Sequence, residues 1–133
     1  MTSGRPMFAY GTLMFPDIIG SLLGRVPPSV PAVAPGFEVR RLHGVSYPGM
    51  IAVDGGIAAG LLLDDLTEDE ITVLDEYEDD FYARVPIVVL VDGRPTEAVT
   101  YLVDCSVVMA LPWTPEWFSS MHLAAFVGEL GFS

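Results

Sequence analysis

A carboxylate interrupts the apolar stripe of an acidic segment in the second half of the sequence. Ile71 and Leu74 are spaced for one face of a helix, and the next position on that face is Glu78. A carboxylate that faces a core is costly unless it is paired, protonated or functional. Burial and neighbouring acids both raise the pKa of such a group, and a raised pKa suits acid–base catalysis near neutral pH. The pattern makes Glu78 a candidate catalytic acid, and a helix end that frays into water is the alternative explanation.

A second candidate feature is the segment Tyr10-Gly11-Thr12-Leu13, which follows a short apolar stretch near the N-terminus. Glycine allows the backbone to turn sharply and to approach a ligand closely. Successive backbone N–H groups that lead into a helix can hold a carboxylate. The segment is therefore a candidate substrate-binding loop, and an ordinary turn between a strand and a helix is the alternative.

The elements around these two features alternate irregularly between strand and helix patterns. Apolar residues at helical spacing predict a first helix that ends at Gly24, and Thr67 to Glu70 form a capping-box pattern that opens a second helix. A turn at Asp92 to Pro95 predicts an antiparallel hairpin, and Asp54-Gly55-Gly56 suggests another pair of strands. The predicted strands are Met7 to Tyr10, Phe37 to Leu42, Met50 to Val53, Ile57 to Leu63, Phe81 to Val91 and Thr96 to Val103, and the predicted helices are Phe15 to Leu23, Thr67 to about Glu78 and Pro115 to Leu130.

These elements predict one α+β domain over residues 1–133, or a small mixed β-barrel with flanking helices. The absence of regular βα alternation argues against a doubly wound parallel sheet. Prolines in Val26 to Pro35 exclude a helix interior or a central strand, so an extended edge or connection is expected there.

Composition narrows the possible functions. A net charge of -12 argues against nucleic acid, because that binding depends on neutralising phosphates with basic side chains. No apolar run is long enough to cross a membrane, and the single cysteine, Cys105, is compatible with a cytoplasmic location. His43 and His122 have no partners at metal-ligand spacing, and no nucleotide-binding glycine pattern occurs, so neither a metal nor a cofactor is expected.

The order of several motifs resembles the gamma-glutamylcyclotransferase-like family. Those motifs are a strand ending in Tyr-Gly-Thr-Leu, a mid-chain Tyr-Pro-Gly, and Leu-Asp-x-x-Glu followed by Tyr-x-Arg. They lie here at Tyr10 to Leu13, Tyr47 to Gly49, Leu74 to Glu78 and Tyr82 to Arg84, with a further match at Ala98 to Tyr101. The resemblance covers about residues 7–102, and residues 103–133 form a C-terminal extension that carries a helix.

The resemblance implies a fold, an activity and a site. The expected fold is a small barrel flanked by helices, and the expected substrate is a gamma-glutamyl small molecule or gamma-glutamyl amine. The α-amine of the glutamyl group attacks the side-chain amide of the same group, which yields 5-oxoproline and releases an amine. The reaction requires no metal. Glu78 takes the family's catalytic position, Tyr10, Gly11, Thr12 and Leu13 hold the glutamyl end, and Tyr82 lines the cavity.

Two other functions remain open, and the chain departs from the family at one point. The same scaffold suits a protein that binds or senses a small molecule without turnover, and the acidic helix suits a module that docks a basic partner. Asp79-Asp80 stands where the family often has glycine after the catalytic Glu, which leaves the substrate preference open. The sequence does not identify the leaving amine, and it allows either a monomer or a homodimer.

Overall fold

The computed structural model describes residues 6–43, 48–77, 82–103, 108–121 and 123. Within them, one mixed sheet has the strand order β3-β1-β5-β4-β2-β6, and β2 pairs with β3 as well. The β1–β5 contact is parallel and the other ladders are antiparallel. The strands are β1 (Met7–Ala9), β2 (Ser29–Leu42), β3 (Pro48–Leu63), β4 (Tyr82–Val91), β5 (Arg94–Val103) and β6 (Val108–Pro112). The helices are α1 (Pro16–Leu23), α2 (Glu68–Tyr77) and α3 (Pro115–Met121), and a 3-10 turn covers Thr12–Met14.

The mixed sheet with helices confirms the α+β expectation, whereas the description of that sheet as a small barrel stays a prediction. The β4–β5 hairpin is confirmed, with Val91 opposite Arg94 across the turn. The first helix also ends as predicted, because Gly24 adopts the left-handed conformation with φ 76° and donates its N–H to the carbonyl of Gly20. The remainder of the predicted C-terminal helix lies outside the described residues, apart from residue 123.

The expected strand pair around Asp54-Gly55-Gly56 is wrong. Both flanking segments belong to the single strand β3, and both pair with β2 rather than with each other. The register passes from Pro35–Ile57 to Phe37–Ala52, so residues 53–56 lie opposite a break in the ladder. Gly36 (φ 84°) and Gly55 (φ 78°) take left-handed conformations at this point. The glycines therefore bend a continuous two-stranded ribbon instead of reversing the chain.

The proline-rich segment is likewise more deeply integrated in the sheet than predicted. From Ser29 onwards it forms the first half of β2, and this half pairs with both β3 and β4, so it is not an edge or a connection. Pro31 lies opposite Leu61 on β3, while the register with β4 is confined to the pair Val33–Leu90. A strand with so short a ladder on one side tolerates residues that lack an N–H donor.

Apolar side chains form two main clusters, one on each side of β1. Phe8 and Tyr10 point into a cluster with Met50 and other strand residues. Met7 and Ala9 point into a second cluster, where Leu74 of α2 is fully buried. This alternation follows from the period of two in a strand, and it fixes the end of β1 between the sheet interior and the two helices.

The start of α2 carries the predicted capping box. The N–H of Glu70 donates to Thr67 Oγ1 over 3.1 Å, and the N–H of Thr67 donates to Glu70 Oε1 over 3.0 Å. Arg25 donates from Nε and Nη2 to the two oxygens of the same carboxylate, at 2.8 and 2.7 Å. The hydrogen bond from Arg25 is the main reason that the pKa of Glu70 falls to about 2. Glu70 is therefore a structural acid that joins α2 to the end of α1.

Replacing Glu70 with Gln is expected to lower the free energy of unfolding by about 1 kcal/mol at pH 7, because the substitution removes a charged cap and a bidentate pair. Partial exposure of Arg25 (39 %) keeps the effect at this size through solvent screening. The folded pKa of Glu70 is depressed from 4.5 to about 2, so its contribution is present above pH 4.5 and disappears as the pH falls towards 2. Urea unfolding at pH 7 and at pH 2.5 measures the free energy of unfolding at each pH.

Glu76→Gln on the same helix is the matched control, because Glu76 is exposed and forms no ion pair with any of the described residues. The difference in stability between the two variants should be largest at pH 7 and clearly smaller at pH 2.5. An equal difference at both pH values would show that the Glu70 carboxylate charge does not contribute to stability.

No helix in the described part of the chain is both long enough and apolar enough to span a bilayer.

Candidate functional site

The predicted substrate loop is a buried turn between β1 and α1. Tyr10, Gly11, Thr12 and Leu13 are all buried, and the N–H of Met14 closes the turn on the carbonyl of Gly11 at 3.0 Å. The hydroxyl of Tyr10 donates to the carbonyl of Tyr101 on β5 over 2.6 Å. The loop is thus fixed to the centre of the sheet, which limits how far it can adjust around a ligand.

Gly11 allows the loop to approach the start of β3 more closely than any other residue type permits. A Cβ atom on Gly11 would lie 2.6 Å from Cγ and 3.0 Å from Cδ of Pro48. Pro48 belongs to the mid-chain Tyr-Pro-Gly motif, whose Tyr47 lies outside the described residues. Two motifs that are far apart in sequence are therefore in direct contact.

Two tyrosine hydroxyls join the Leu-Asp-x-x-Glu and Tyr-x-Arg motifs to the contact between Gly11 and Pro48. Tyr77, the last residue of α2, shares a hydrogen bond of 2.8 Å with Thr12 Oγ1. Tyr82, the first residue of β4, donates its hydroxyl to the carbonyl of Pro48. The predicted catalytic residue, Glu78, follows Tyr77 directly in the sequence and lies outside the described residues, as do Asp79 and Asp80. Both residues that flank the segment 78–81 are therefore held beside the loop.

A polar network ties the last turn of α2 to the sheet. The hydroxyl of Tyr101 donates to Asp75 Oδ1 over 2.6 Å, and Arg84 Nη1 lies 3.3 Å from Asp75 Oδ2. Asp75 and Arg84 are both exposed, so their ion pair alone contributes little stability. Tyr101 makes a second contact as well, because its backbone carbonyl accepts a hydrogen bond from the hydroxyl of Tyr10. One residue of β5 thereby connects the loop with the end of α2.

The structure brings together five of the six residues that the sequence singled out, namely Tyr10, Gly11, Thr12, Leu13 and Tyr82. Sequence reasoning missed Pro48, Tyr77 and Tyr101 as the residues that join them. Tyr77 occupies a variable position of Leu-Asp-x-x-Glu, so the motif gives no signal for it. Tyr101 lies in the Ala98 to Tyr101 match, where alternation along β5 indicates only that it faces a core.

The arrangement offers hydroxyl groups and a buried turn rather than metal ligands. Among the described residues, no three His, Cys, Asp or Glu side chains are grouped closely enough to hold a metal ion. Tyrosine and threonine hydroxyls can donate and accept hydrogen bonds, and both suit the ammonium and carboxylate of an amino acid.

The model of one protein family, described as gamma-glutamyl cyclotransferase, AIG2-like, matches residues 7–117. The chain belongs to this family. The match includes all four motifs named above, and it extends beyond residues 7–102 into β6 and α3.

Relatives and solved structures agree with the family assignment. AIG2-like protein C of Arabidopsis thaliana is 40 % identical over 93 residues, which are 68 % of this chain and 54 % of the relative. The chain thus spans about half the length of that curated relative. A solution structure of another Arabidopsis thaliana protein superposes with a TM-score of 0.72 at 29 % identity, covering 95 % of this chain and 87 % of that one. A structure of a gamma-glutamyl cyclotransferase gives a TM-score of 0.66 at 14 % identity, over 96 % of this chain and 86 % of that one, and shows the shared fold.

Proposed function

We propose that this member of the gamma-glutamyl cyclotransferase, AIG2-like family converts gamma-glutamyl compounds to 5-oxoproline and a free amine. The observation that carries the proposal is the convergence of the loop from Tyr10 to Leu13 with Pro48, Tyr77 and Tyr82. Tyr77 and Tyr82 are the neighbours in sequence of the segment that contains Glu78. Glu78 directly follows Tyr77 in the sequence, and the proposal therefore assigns this acid to the same site as the loop.

The reaction needs positioning and proton transfer. The α-nitrogen of the glutamyl group forms a bond to its own γ-carbonyl carbon, and the bond from that carbon to the leaving nitrogen breaks. The attacking ammonium loses two protons and keeps the third as the ring N–H of 5-oxoproline. One of the two goes to solvent and the other is delivered to the leaving nitrogen, so a single carboxylate can accept a proton and return it. Because the nucleophile is part of the substrate, holding the chain folded supplies much of the rate enhancement.

Each candidate residue has a separate role in this proposal. Glu78 is the acid–base group. Backbone N–H groups of Gly11 to Leu13 bind the substrate carboxylate or the oxygen that becomes negative in the transition state. Tyr10 forms a wall of the glutamyl site, and Tyr82 orients Pro48 opposite Gly11.

The fold part of the proposal is that the sheet encloses the site as a small barrel. The strand order runs from β3 through β1, β5 and β4 to β2, and β2 also pairs with β3. The pairings of these five strands therefore return to the strand where they began, which supports this idea. A cytoplasmic location and a monomeric or homodimeric state remain predictions that belong to the same proposal.

A panel of gamma-glutamyl amides, peptides and amines, assayed for release of 5-oxoproline, tests the function. At least one compound of the panel should give turnover that increases linearly with enzyme concentration. A protein that binds members of the panel without releasing 5-oxoproline would instead support the alternative, a ligand-binding protein on the same scaffold.

The third possibility, an acidic docking helix, is weakened by one observation. Glu70 bonds to Arg25 and to Thr67, so it is not part of a uniformly solvated acidic face. Asp69 is exposed, and its charge reversal tests this possibility without breaking the cap of α2.

A further inference from the structure

A pocket of about 570 Å³ opens beside Tyr10, which is one of its lining residues. Its walls come from the bend of the β2–β3 ribbon and from the segment that connects β6 with α3. Ligand sites in proteins commonly have volumes of about 300–1,000 Å³, so this pocket is large enough for a small molecule or for part of one. The lining includes Tyr10, Glu38, Arg40, Trp113 and Thr114.

Tyr10 belongs to both the pocket and the proposed glutamyl site. It lines the pocket, and it is the first residue of the loop that contacts Pro48. A substrate with its glutamyl group at the loop can therefore extend past the Tyr10 ring into the pocket.

The walls of the pocket are held in place without a ligand. Arg41 donates from Nε to the carbonyl of Pro112 over 3.0 Å, and its guanidinium lies 4.1 Å from the ring centroid of Trp117. The N–H of Trp113 donates to the carbonyl of Val39 over 3.3 Å. These contacts fix the start of α3 against β2, so a ligand meets a formed cavity and does not have to order it.

Arg40 is the one cation among the described residues that line the pocket. Its Nε and Nη2 both donate to a single oxygen of Glu38, at 3.0 and 2.7 Å. A guanidinium has five N–H donors, and within the described part of the chain those of Nη1 make no hydrogen bond. The side chain of Arg40 is 28 % exposed, and this partial shielding from water strengthens its electrostatic interactions with charged groups, Glu38 included.

Glu38 orients this guanidinium and also opposes a second carboxylate. It keeps the Arg40 side chain extended beside the pocket, as a fixed acceptor does for a long flexible donor. Its own negative charge repels an incoming anion, and this repulsion reduces the gain from Arg40. Removing the Arg40 charge and removing the Glu38 charge should therefore change the affinity for an anionic ligand in opposite directions.

We propose that this pocket receives the leaving amine of the substrate and that Arg40 selects leaving groups that carry a carboxylate. The inference rests on the proposed cyclotransferase function, and it narrows the substrate class to gamma-glutamyl amino acids and peptides. Simple gamma-glutamyl alkylamines lack the group that Arg40 binds. Arg40 is a specificity-determining residue in this scheme and takes no part in proton transfer.

The test compares gamma-glutamylglycine with gamma-glutamylglycinamide, two substrates that differ only in the terminal carboxylate. The wild-type protein should prefer the acid over the amide by about tenfold or more in kcat/KM, because a charge-assisted bidentate contact is lost with the amide. Arg40→Gln should reduce this preference to less than threefold, mainly by raising KM for the acid. Arg40→Lys keeps the charge without the fork of donors and should fall between the two.

Two further variants make the comparison specific. Glu38→Gln keeps an oxygen acceptor for Arg40 but removes the repelling charge, so it should increase the preference for the acid. Arg94→Gln removes an exposed arginine at the first position of β5, and it should leave the turnover of both substrates unaffected. Thermal melting curves of all variants show whether each one is folded, and Arg40→Lys replaces Arg40→Gln if the latter does not fold.

The outcomes separate this inference from the function on which it rests. Turnover of both substrates at similar kcat/KM, or a preference for the acid that persists in Arg40→Gln, overturns the role of Arg40 and leaves the cyclotransferase proposal in place. No 5-oxoproline from any member of the wider panel overturns the cyclotransferase proposal, and the role of Arg40 fails with it.

Discussion

Replacing Glu78 with Gln is expected to reduce kcat for 5-oxoproline release by at least about 100-fold, because positioned acid–base groups contribute roughly 10² to 10⁴ in rate. Gln has nearly the same shape as Glu but can neither accept a proton from the substrate ammonium nor return one to the leaving nitrogen. KM should change little, since the loop and the pocket bind the substrate in this scheme. Steady-state kinetics on the best substrate of the panel gives both constants.

Glu76→Gln is the control for this substitution, because it removes the same charge two residues earlier and from an exposed position on α2. It should retain most of the wild-type activity. The two variants should also have similar melting temperatures, which separates a loss of chemistry from a loss of fold. Turnover of Glu78→Gln near the wild-type level would assign the proton transfer to another group and leave the Tyr10 loop as a binding site only.

The elements that local sequence determines were predicted well. Thr67 and Glu70 lie at capping-box spacing and form both reciprocal hydrogen bonds in the structure. The β4–β5 hairpin follows from a turn at Asp92-Gly93, where both residues take positive φ angles. These features depend on interactions between residues a few positions apart, and such interactions can be predicted from the sequence alone.

The bend of the β2–β3 ribbon was not predictable in the same way. Asp54-Gly55-Gly56 has the composition of a hairpin turn, yet both flanking segments pair with β2. A local pattern identifies a glycine with a positive φ angle, but the partner of each flanking strand depends on the whole sheet. The pocket beside Arg40 lies at this bend, so its existence could not be deduced from the same residues.

The candidate site shows the same difference between local motifs, which the sequence predicts, and long-range contacts, which it does not. Tyr10 to Leu13 and Tyr82 were identified because they belong to short motifs with a fixed order. Pro48 was noted as part of a motif, but its contact with Gly11 depends on how β3 approaches β1. The hydrogen bond between Thr12 and Tyr77 spans 65 positions of sequence, and no local pattern encodes such a pair. Motif order therefore predicted the members of the site, and the fold supplied their contacts.

Gly11→Ala is expected to lower kcat/KM by about 100-fold while the protein remains folded, because displacing a positioning group by about 1 Å can cost this much. The added Cβ would lie 2.6 Å from Cγ of Pro48, so the loop and Pro48 must move apart. The proline ring cannot rotate away, and its carbonyl is bound by the hydroxyl of Tyr82. The expected effect comes from this close approach of the loop to Pro48.

Gly20→Ala provides the matched control, because the same methyl group is added inside α1. Its Cβ would lie 3.4 Å from Cγ2 of Val26, which requires at most a slight adjustment. Alanine in a helix interior is favoured over glycine by roughly 0.5–1 kcal/mol, so this variant should keep its activity and melt at a slightly higher temperature. The Gly11 variant should melt a few degrees lower, since overpacking costs about 1–3 kcal/mol. Full activity of Gly11→Ala would mean that the contact between the loop and Pro48 does not position the substrate, and the catalytic role of the Tyr10 loop would then have to be abandoned.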